Sequence, residues 1–153
     1  MPKIDIDAIP ASDRTYYPEA FRYAETGRSR KRLGTAVGLT QFGVNLTRLA
    51  PGGTTGLRHW HEQEDEFVFI LEGEATLIED DGEHVLRAGE AAGYKAGVAN
   101  GHQIVNKSDS EVVLLEIGSR AARERSHYTD VDMTFERDET GYRFLHKSGE
   151  PYA

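Results

Sequence analysis

Cysteine is absent from the 153 residues, which removes disulfides, thiolate nucleophiles and thiolate-bound metals and leaves His, Asp and Glu as ligands. Proline is scarce, at five residues, and no uncharged run suits a bilayer. The longest, Leu33 to Thr47, contains Gln41, Asn45 and three glycines, and is too short and too polar to span. A surplus of positive charge is missing as well. Eighteen basic against 26 acidic side chains give a formal net charge of −8, which argues against a general nucleic-acid binder, because phosphate neutralisation needs excess Lys and Arg. The opening Met1-Pro2-Lys3-Ile4-Asp5 has no apolar leader core, so a cytoplasmic location, away from membranes, is expected. No G-x-S-x-G, P-loop or H-E-x-x-H motif occurs. The hydrophobic share of 38% is that of a folded globular chain. Its length fits one domain, and six histidines are the first chemical lead.

The centre reads as short strands between glycine turns. Gln41 to Leu49 alternates, with Phe42, Val44 and Leu46 on one face and Asn45 and Thr47 on the other, until Pro51-Gly52-Gly53 breaks it. Phe67 to Leu71 is an apolar β-favouring run closed by Gly73. Glu74–Glu79 and Glu83–Arg87 flank Asp80-Asp81-Gly82, a strong hairpin signal. Glycines 89, 93, 97 and 101 punctuate the next stretch, before Gln103–Asn106 and a strand over Glu111–Ile117. This spacing predicts an all-β sandwich or barrel. The ends differ: residues 1 to 32 are polar and finish in the basic run Arg28 to Arg32. Residues 119 to 153 open with an expected helical turn, Arg120 to Arg125, then a hairpin of Thr134–Arg137 against Tyr142–His146. Both ends are expected to drape over the central unit, making residues 1–153 one domain with a core at about 40–118 and extensions at 1–39 and 119–153.

His59-Trp60-His61 is the focal point. On a strand, side chains at i and i+2 share a face, so two imidazoles can converge on one ion. Glu66 follows at the start of the next apolar strand, and a tight turn through Glu62–Asp65 would return it beside the pair. Two histidines and one carboxylate with open positions suit non-haem Fe(II), and also Mn, Ni or Zn. A third imidazole, His102, comes after the glycine-punctuated turns. Taken alone, a His-x-His pair is weak evidence for a ligand pair, and two surface residues flanking a buried Trp60 explain it better.

The wider spacing decides between these. Gly53-x5-His59-x-His61-x4-Glu66-x6-Gly73 resembles the first cupin motif at every fixed position, and Gly89, Gly97, His102 and Asn106 resemble the second. The chain is similar to small single-domain cupins from Phe42 to Ile117. That resemblance implies a double-stranded β-helix, the jelly-roll cupin barrel, with short N- and C-terminal extensions and a divalent transition metal in its mouth. It also implies that His59, His61, Glu66 and His102 are the ligands. Two departures stand out. Lys95 replaces the usual proline, and four residues rather than two separate Gly97 from His102, so Asn100 competes with His102 for the ligand position.

Other features weigh less. The basic run Arg28–Arg32 and the set Arg120, Arg123 and Arg125 are expected to be solvated faces or subunit contacts. Glu62-Gln63-Glu64-Asp65 is expected to be a solvated turn, and Lys95 to face solvent. His84, His127 and His146 have no partners at ligand spacing. The resemblance implies a metal-dependent enzyme acting on a small polar or anionic metabolite, in the manner of a sugar-phosphate isomerase. A non-haem metal dioxygenase and a non-catalytic, ligand-binding or sensory cupin are the alternatives. The acidic balance disfavours a highly phosphorylated substrate unless the arginine clusters face the mouth. A homodimer is expected, because small single-barrel cupins usually pair.

Overall fold

The computed structural model describes residues 3–153. Twelve strands lie in order along it: β1 (Arg28–Arg32), β2 (Phe42–Leu49), β3 (His59–His61), β4 (Glu66–Glu72), β5 (Glu74–Glu79), β6 (Gly82–Arg87), β7 (Ala91–Tyr94), β8 (Gln103–Val105), β9 (Val112–Ser119), β10 (Glu124–Tyr128), β11 (Thr134–Asp138) and β12 (Gly141–Leu145). A 3₁₀ segment, Glu19–Glu25, precedes β1, and a single helical turn, α1 (Leu33–Ala36), follows it.

One wall is a five-stranded antiparallel sheet ordered β1-β2-β9-β4-β7. The other consists of β12-β11-β10-β3 and β6-β5-β8. A single antiparallel bridge, His59 to His102, joins β3 to the segment entering β8, so the two shorter sheets act as one facing layer. The result is a jelly-roll barrel in which both chain ends supply wall strands. The closed end is filled by Leu49, Val68, Ile70, Leu77, Ile104, Val112 and Leu114. Burying each of the fully enclosed Leu and Ile side chains contributes about 1.5–3 kcal/mol. The open end is polar.

Most strand expectations hold. Both hairpins are present with their predicted partners, Glu74–Glu79 against Gly82–Arg87 and Thr134–Asp138 against Gly141–Leu145. At the first, Gly82 takes the positive φ, +132°, that closes the reversal after Asp80 and Asp81. The expected helical turn over Arg120–Arg125 is absent. Residues 120–123 are irregular and Glu124 begins β10, because pairing with β3 and β11 gives this backbone partners that one helical turn cannot match. The alternation in β2 also turns the other way from a simple apolar-inside reading: Thr47 and Leu49 are fully buried, while Phe42 is 43% exposed. Near the mouth the inner face of this sheet lines a polar cavity, so Val44 and Leu46 lie outside, beside Ile117 and Leu115 of β9.

A candidate metal centre in the barrel mouth

His59 and His61 point the same way from β3, while Trp60 faces outward and stacks on His127 at 4.3 Å. β10 holds this short strand in register, with Ser126 opposite His61 and Tyr128 opposite His59. The turn after β3 is pinned by Glu124, whose carboxylate accepts the amides of Glu62 (2.9 Å) and Gln63 (3.0 Å). That pinning returns the chain so that Glu66, the first residue of β4, faces the imidazoles.

The four predicted ligand residues are brought together. His59 Nε2 lies 3.1 Å from His61 Nε2, and His61 Nε2 lies 3.1 Å from Glu66 Oε1. One ligand atom each from His59, His61 and Glu66 fall within 4.8 Å of one another. His102 joins through its Nε2, 2.5 Å from Glu66 Oε2. Asn100 does not compete: its side chain is engaged with the amide of Asp80 and the carboxylate of Glu79, on the β5–β6 hairpin. The long loop before His102 closes because Gly97 donates to the His61 carbonyl at 2.8 Å and Gly101 packs against Thr129.

Each imidazole is oriented from behind. His59 Nδ1 lies 2.7 Å from the Leu57 carbonyl and His102 Nδ1 3.3 Å from the Asn100 carbonyl, contacts that leave both Nε2 atoms free to bind an ion whenever the ring proton sits on Nδ1. His61 Nδ1 faces Ser126 Oγ at 3.0 Å and Glu124 Oε1 at 3.5 Å. Lone pairs 3.1 Å apart beside a carboxylate repel unless a proton or a cation stands between them, and this donor set matches a first-row divalent ion.

The titration of these groups follows from the same contacts. Burial lowers the His59 pKa to about 4 despite the nearby Glu66 carboxylate. Burial also opposes the charged form of His61, but Glu124 and Glu66 outweigh it and raise the pKa to about 10. Glu66 is half-buried, which opposes its charge, yet hydrogen bonds from His102 and His61 hold its carboxyl well below the usual range. A cation binding here must therefore displace a proton from His61.

The cluster forms one end of a cavity of about 570 Å³ between the two walls. Two expectations are overturned here. Arg28 and Arg30 are not a solvated face: alternation along β1 turns them, with Arg32, toward the cavity, where Arg28 is only 4% exposed and the two pair with Glu25 and Glu116, while Arg32 at the strand end stays exposed. Arg120 lines the cavity as well, whereas Arg123 and Arg125 lie outside it, paired with Glu139 and Glu136. The Glu62–Asp65 turn is not simply solvated either. Glu64 is 9% exposed, pairs with Arg137 and accepts the Ala121 amide.

Lys95 is exposed, as expected, at a smaller cavity of about 220 Å³ on the other side of His61 and His102. The three remaining histidines each pair with a carboxylate, His84 with Asp81, His127 with Glu62 and His146 with Asp132. Sequence reasoning missed Glu124, Ser126 and Tyr94. The Tyr94 ring lies flat on His102 at 3.5 Å, and its buried hydroxyl has no hydrogen-bond partner among the described residues. A usable signal existed for the arginines, since Arg28-x-Arg30-x-Arg32 is a period-2 pattern.

Comparison with known proteins gives a consistent picture. The family described as "Cupin domain" matches residues 45–118. A solved sugar phosphate isomerase from a cupin superfamily of Silicibacter pomeroyi is 44% identical, covers 99% of this chain and 97% of that one, and superposes with a TM-score of 0.96. A candidate sugar phosphate isomerase from Acidithiobacillus ferrooxidans is 28% identical over 79% of this chain and 77% of that one, with a TM-score of 0.74. A polyketide cyclase from Streptomyces resistomycificus, 20% identical over 78% of this chain and 79% of that one, shares the fold with a TM-score of 0.64. No curated protein matches the sequence. Among the described residues no helix is long and apolar enough to cross a membrane.

Proposed function

The chain belongs to the cupin superfamily, and from that premise we propose that it is a metal-dependent isomerase of a small phosphorylated or otherwise anionic sugar-like metabolite, working as one domain over residues 1–153. The observation that carries the reading is the convergence of three imidazole Nε2 atoms and one carboxylate at one end of the arginine-lined main cavity. His59, His61, Glu66 and His102 would hold the ion. When bound, it supplies Lewis-acid polarisation of a substrate carbonyl and a chelate for a neighbouring hydroxyl. The 44% identity to a protein described as a sugar phosphate isomerase supports the choice of substrate class.

The chain's own residues supply the rest. The Tyr94 phenol stays protonated, because burial and then the carboxylates of Glu79, Glu66 and Glu116 push its pKa up. Its unpartnered hydroxyl would donate to a substrate oxygen, since leaving a buried donor unmade costs about 1–3 kcal/mol. Glu116 is the proton carrier in this reading. It faces the cavity from β9, held by Arg30 Nε at 2.7 Å and Thr47 Oγ1 at 2.5 Å, so its carboxylate can take a proton from one substrate carbon and return it to the next without moving. Tyr17 and Tyr128, packed edge to face at 5.6 Å, close the wall behind His59 against water.

Elemental analysis of the purified protein beside His59→Ala and His61→Ala tests the centre. About one transition-metal ion per chain is expected in the wild type and a clear loss in both variants; equal metal in all three would sink the proposal. Turnover of sugar phosphates by the loaded protein, with no uptake of oxygen, separates isomerisation from oxygenation. Binding without turnover would identify a sensory cupin.

A further inference from the structure

Six arginines line the main cavity, and they fall into two groups. Arg28, Arg30 and Arg137 are neutralised by Glu25, Glu116 and Glu64. Arg14, Arg32 and Arg120 have no carboxylate partner among the described residues. These three are held by neutral contacts instead. The guanidinium carbons of Arg14 and Arg32 lie 4.8 and 5.4 Å from the centre of the Tyr16 ring, and Arg32 Nη2 donates to Tyr16 Oη at 3.2 Å. Arg120 lies across Gly43, with Nη2 and Nε 3.1 and 3.4 Å from where a Cβ on that glycine would stand.

The strand register puts these cations in line with the candidate metal centre. Arg32 is opposite Asn45, and Gly43 is the next inward position on β2, so Arg32 and the seat of Arg120 are neighbours. The pairing row through Gly43 continues to Gly118 of β9 and then to Glu66 of β4. The two glycines add no side chain of their own to that strip of floor, which lets Arg120 lie across Gly43 and spans two strand spacings, roughly 9–10 Å. One end of the strip carries uncompensated guanidinium groups and the other carries Glu66.

In a chain of net charge −8, three unpaired arginines around one cavity are a local excess that repels itself and attracts an anion. Guanidinium groups match phosphate oxygens by paired, charge-assisted hydrogen bonds. We propose that Arg14, Arg32 and Arg120 seat the phosphate of a small sugar monophosphate whose opposite end reaches the His59–His61–Glu66–His102 cluster. This deepens the isomerase reading and rests on it for the second half of the ligand.

The test titrates inorganic phosphate into the full metal-loaded chain by calorimetry, for the wild type and for Arg32→Gln, Arg120→Gln and Arg48→Gln. Arg48 lies on the outer face of β2, paired with Glu111, and serves as the control. Saturable binding is expected in the wild type and the control. About a tenfold loss of affinity is expected in each of the other two variants, the size of one charge-assisted hydrogen bond, and raised salt should weaken wild-type binding further. All three positions are exposed or half-buried surface sites, and matching unfolding midpoints will show that the variants fold. Absent phosphate binding, or equal binding in all four proteins, overturns the proposal. Metal content separates the two readings: a chain with metal but no phosphate affinity refutes the phosphate seat alone. Phosphate affinity retained in a chain that takes up no metal refutes the metal centre alone.

Discussion

Replacing Gly101 with alanine would drive a methyl group onto the Thr129 hydroxyl and bring the new Cβ within 3.1 Å of the Thr129 Cβ. Neither side can yield easily. The Thr129 amide is tied to the Arg58 carbonyl at 3.0 Å, and threonine is stiff at χ1. On the other side, the next residue, His102, makes both backbone bonds of the bridge to His59, at 3.0 and 3.2 Å. Overpacking of this kind costs about 1–3 kcal/mol, a fall in melting temperature of roughly 2–12 °C for a domain of this size. The strain acts on a candidate ligand, so metal retention should fall too. Urea unfolding and elemental analysis of Gly101→Ala, Thr129→Ala and the double variant measure both effects. Thr129→Ala removes the hydroxyl and should recover part of the loss, giving a coupling of about 0.5–3 kcal/mol. A Gly101→Ala protein as stable as the wild type, or a double variant with no relief, would refute the reasoning.

Further outcomes follow from the same geometry. In the metal-free protein, the His61 pKa is raised from 6.5 to about 10, so its stabilisation is full below 6.5 and is lost as pH rises toward 10. The His59 pKa is lowered from 6.5 to about 4, so its contribution is present above 6.5 and drains away as pH falls toward 4. Urea midpoints across pH should therefore peak near neutrality for the metal-free chain and lose the alkaline decline once metal is bound; a flat profile would contradict both shifts. Glu124→Gln keeps the shape of the side chain but weakens its hold on His61 Nδ1, and chelator competition should show metal affinity reduced about 10–100-fold. Phe42, Phe67 and Leu71, 43%, 42% and 40% exposed, flank Val44 and Ile117 on the outer face of the five-stranded sheet. An apolar face of this kind is expected to pair with a second copy, and a monomeric mass by light scattering would count against the homodimer.

Much of the site was legible because strand chemistry is local. The i, i+2 relation puts His59 and His61 on one face before any fold is known, and the apolar run after Glu66 marks where the next strand starts. The hairpins announced themselves through Asp80-Asp81-Gly82 and Glu139-Thr140-Gly141. What escaped depends on partners far along the chain. An arginine-rich strand looks solvated until its neighbours, Glu25 and Glu116, are seen to supply the opposite charges inside. Glu64 and Glu124 look like surface acids in the sequence, and only the return of β10 beside β3 buries them next to His61. Which face of β2 turns inward was hidden for a related reason: the barrel turns the apolar side of a strand outward wherever the cavity, not the core, is behind it.

The bridge between His59 and His102 has a mechanical consequence. With the Thr54–Val105 bridge just before β3, it ties the edge of the four-stranded sheet to that of the three-stranded one, and both its members are candidate ligands. A cation gripped by both imidazoles would rivet the two plates of that wall where they meet. Occupancy of the centre and continuity of the barrel would then be a single equilibrium. The amides of His59 and His102 would exchange with solvent slowly when the rivet is in, and among the first when it is drawn.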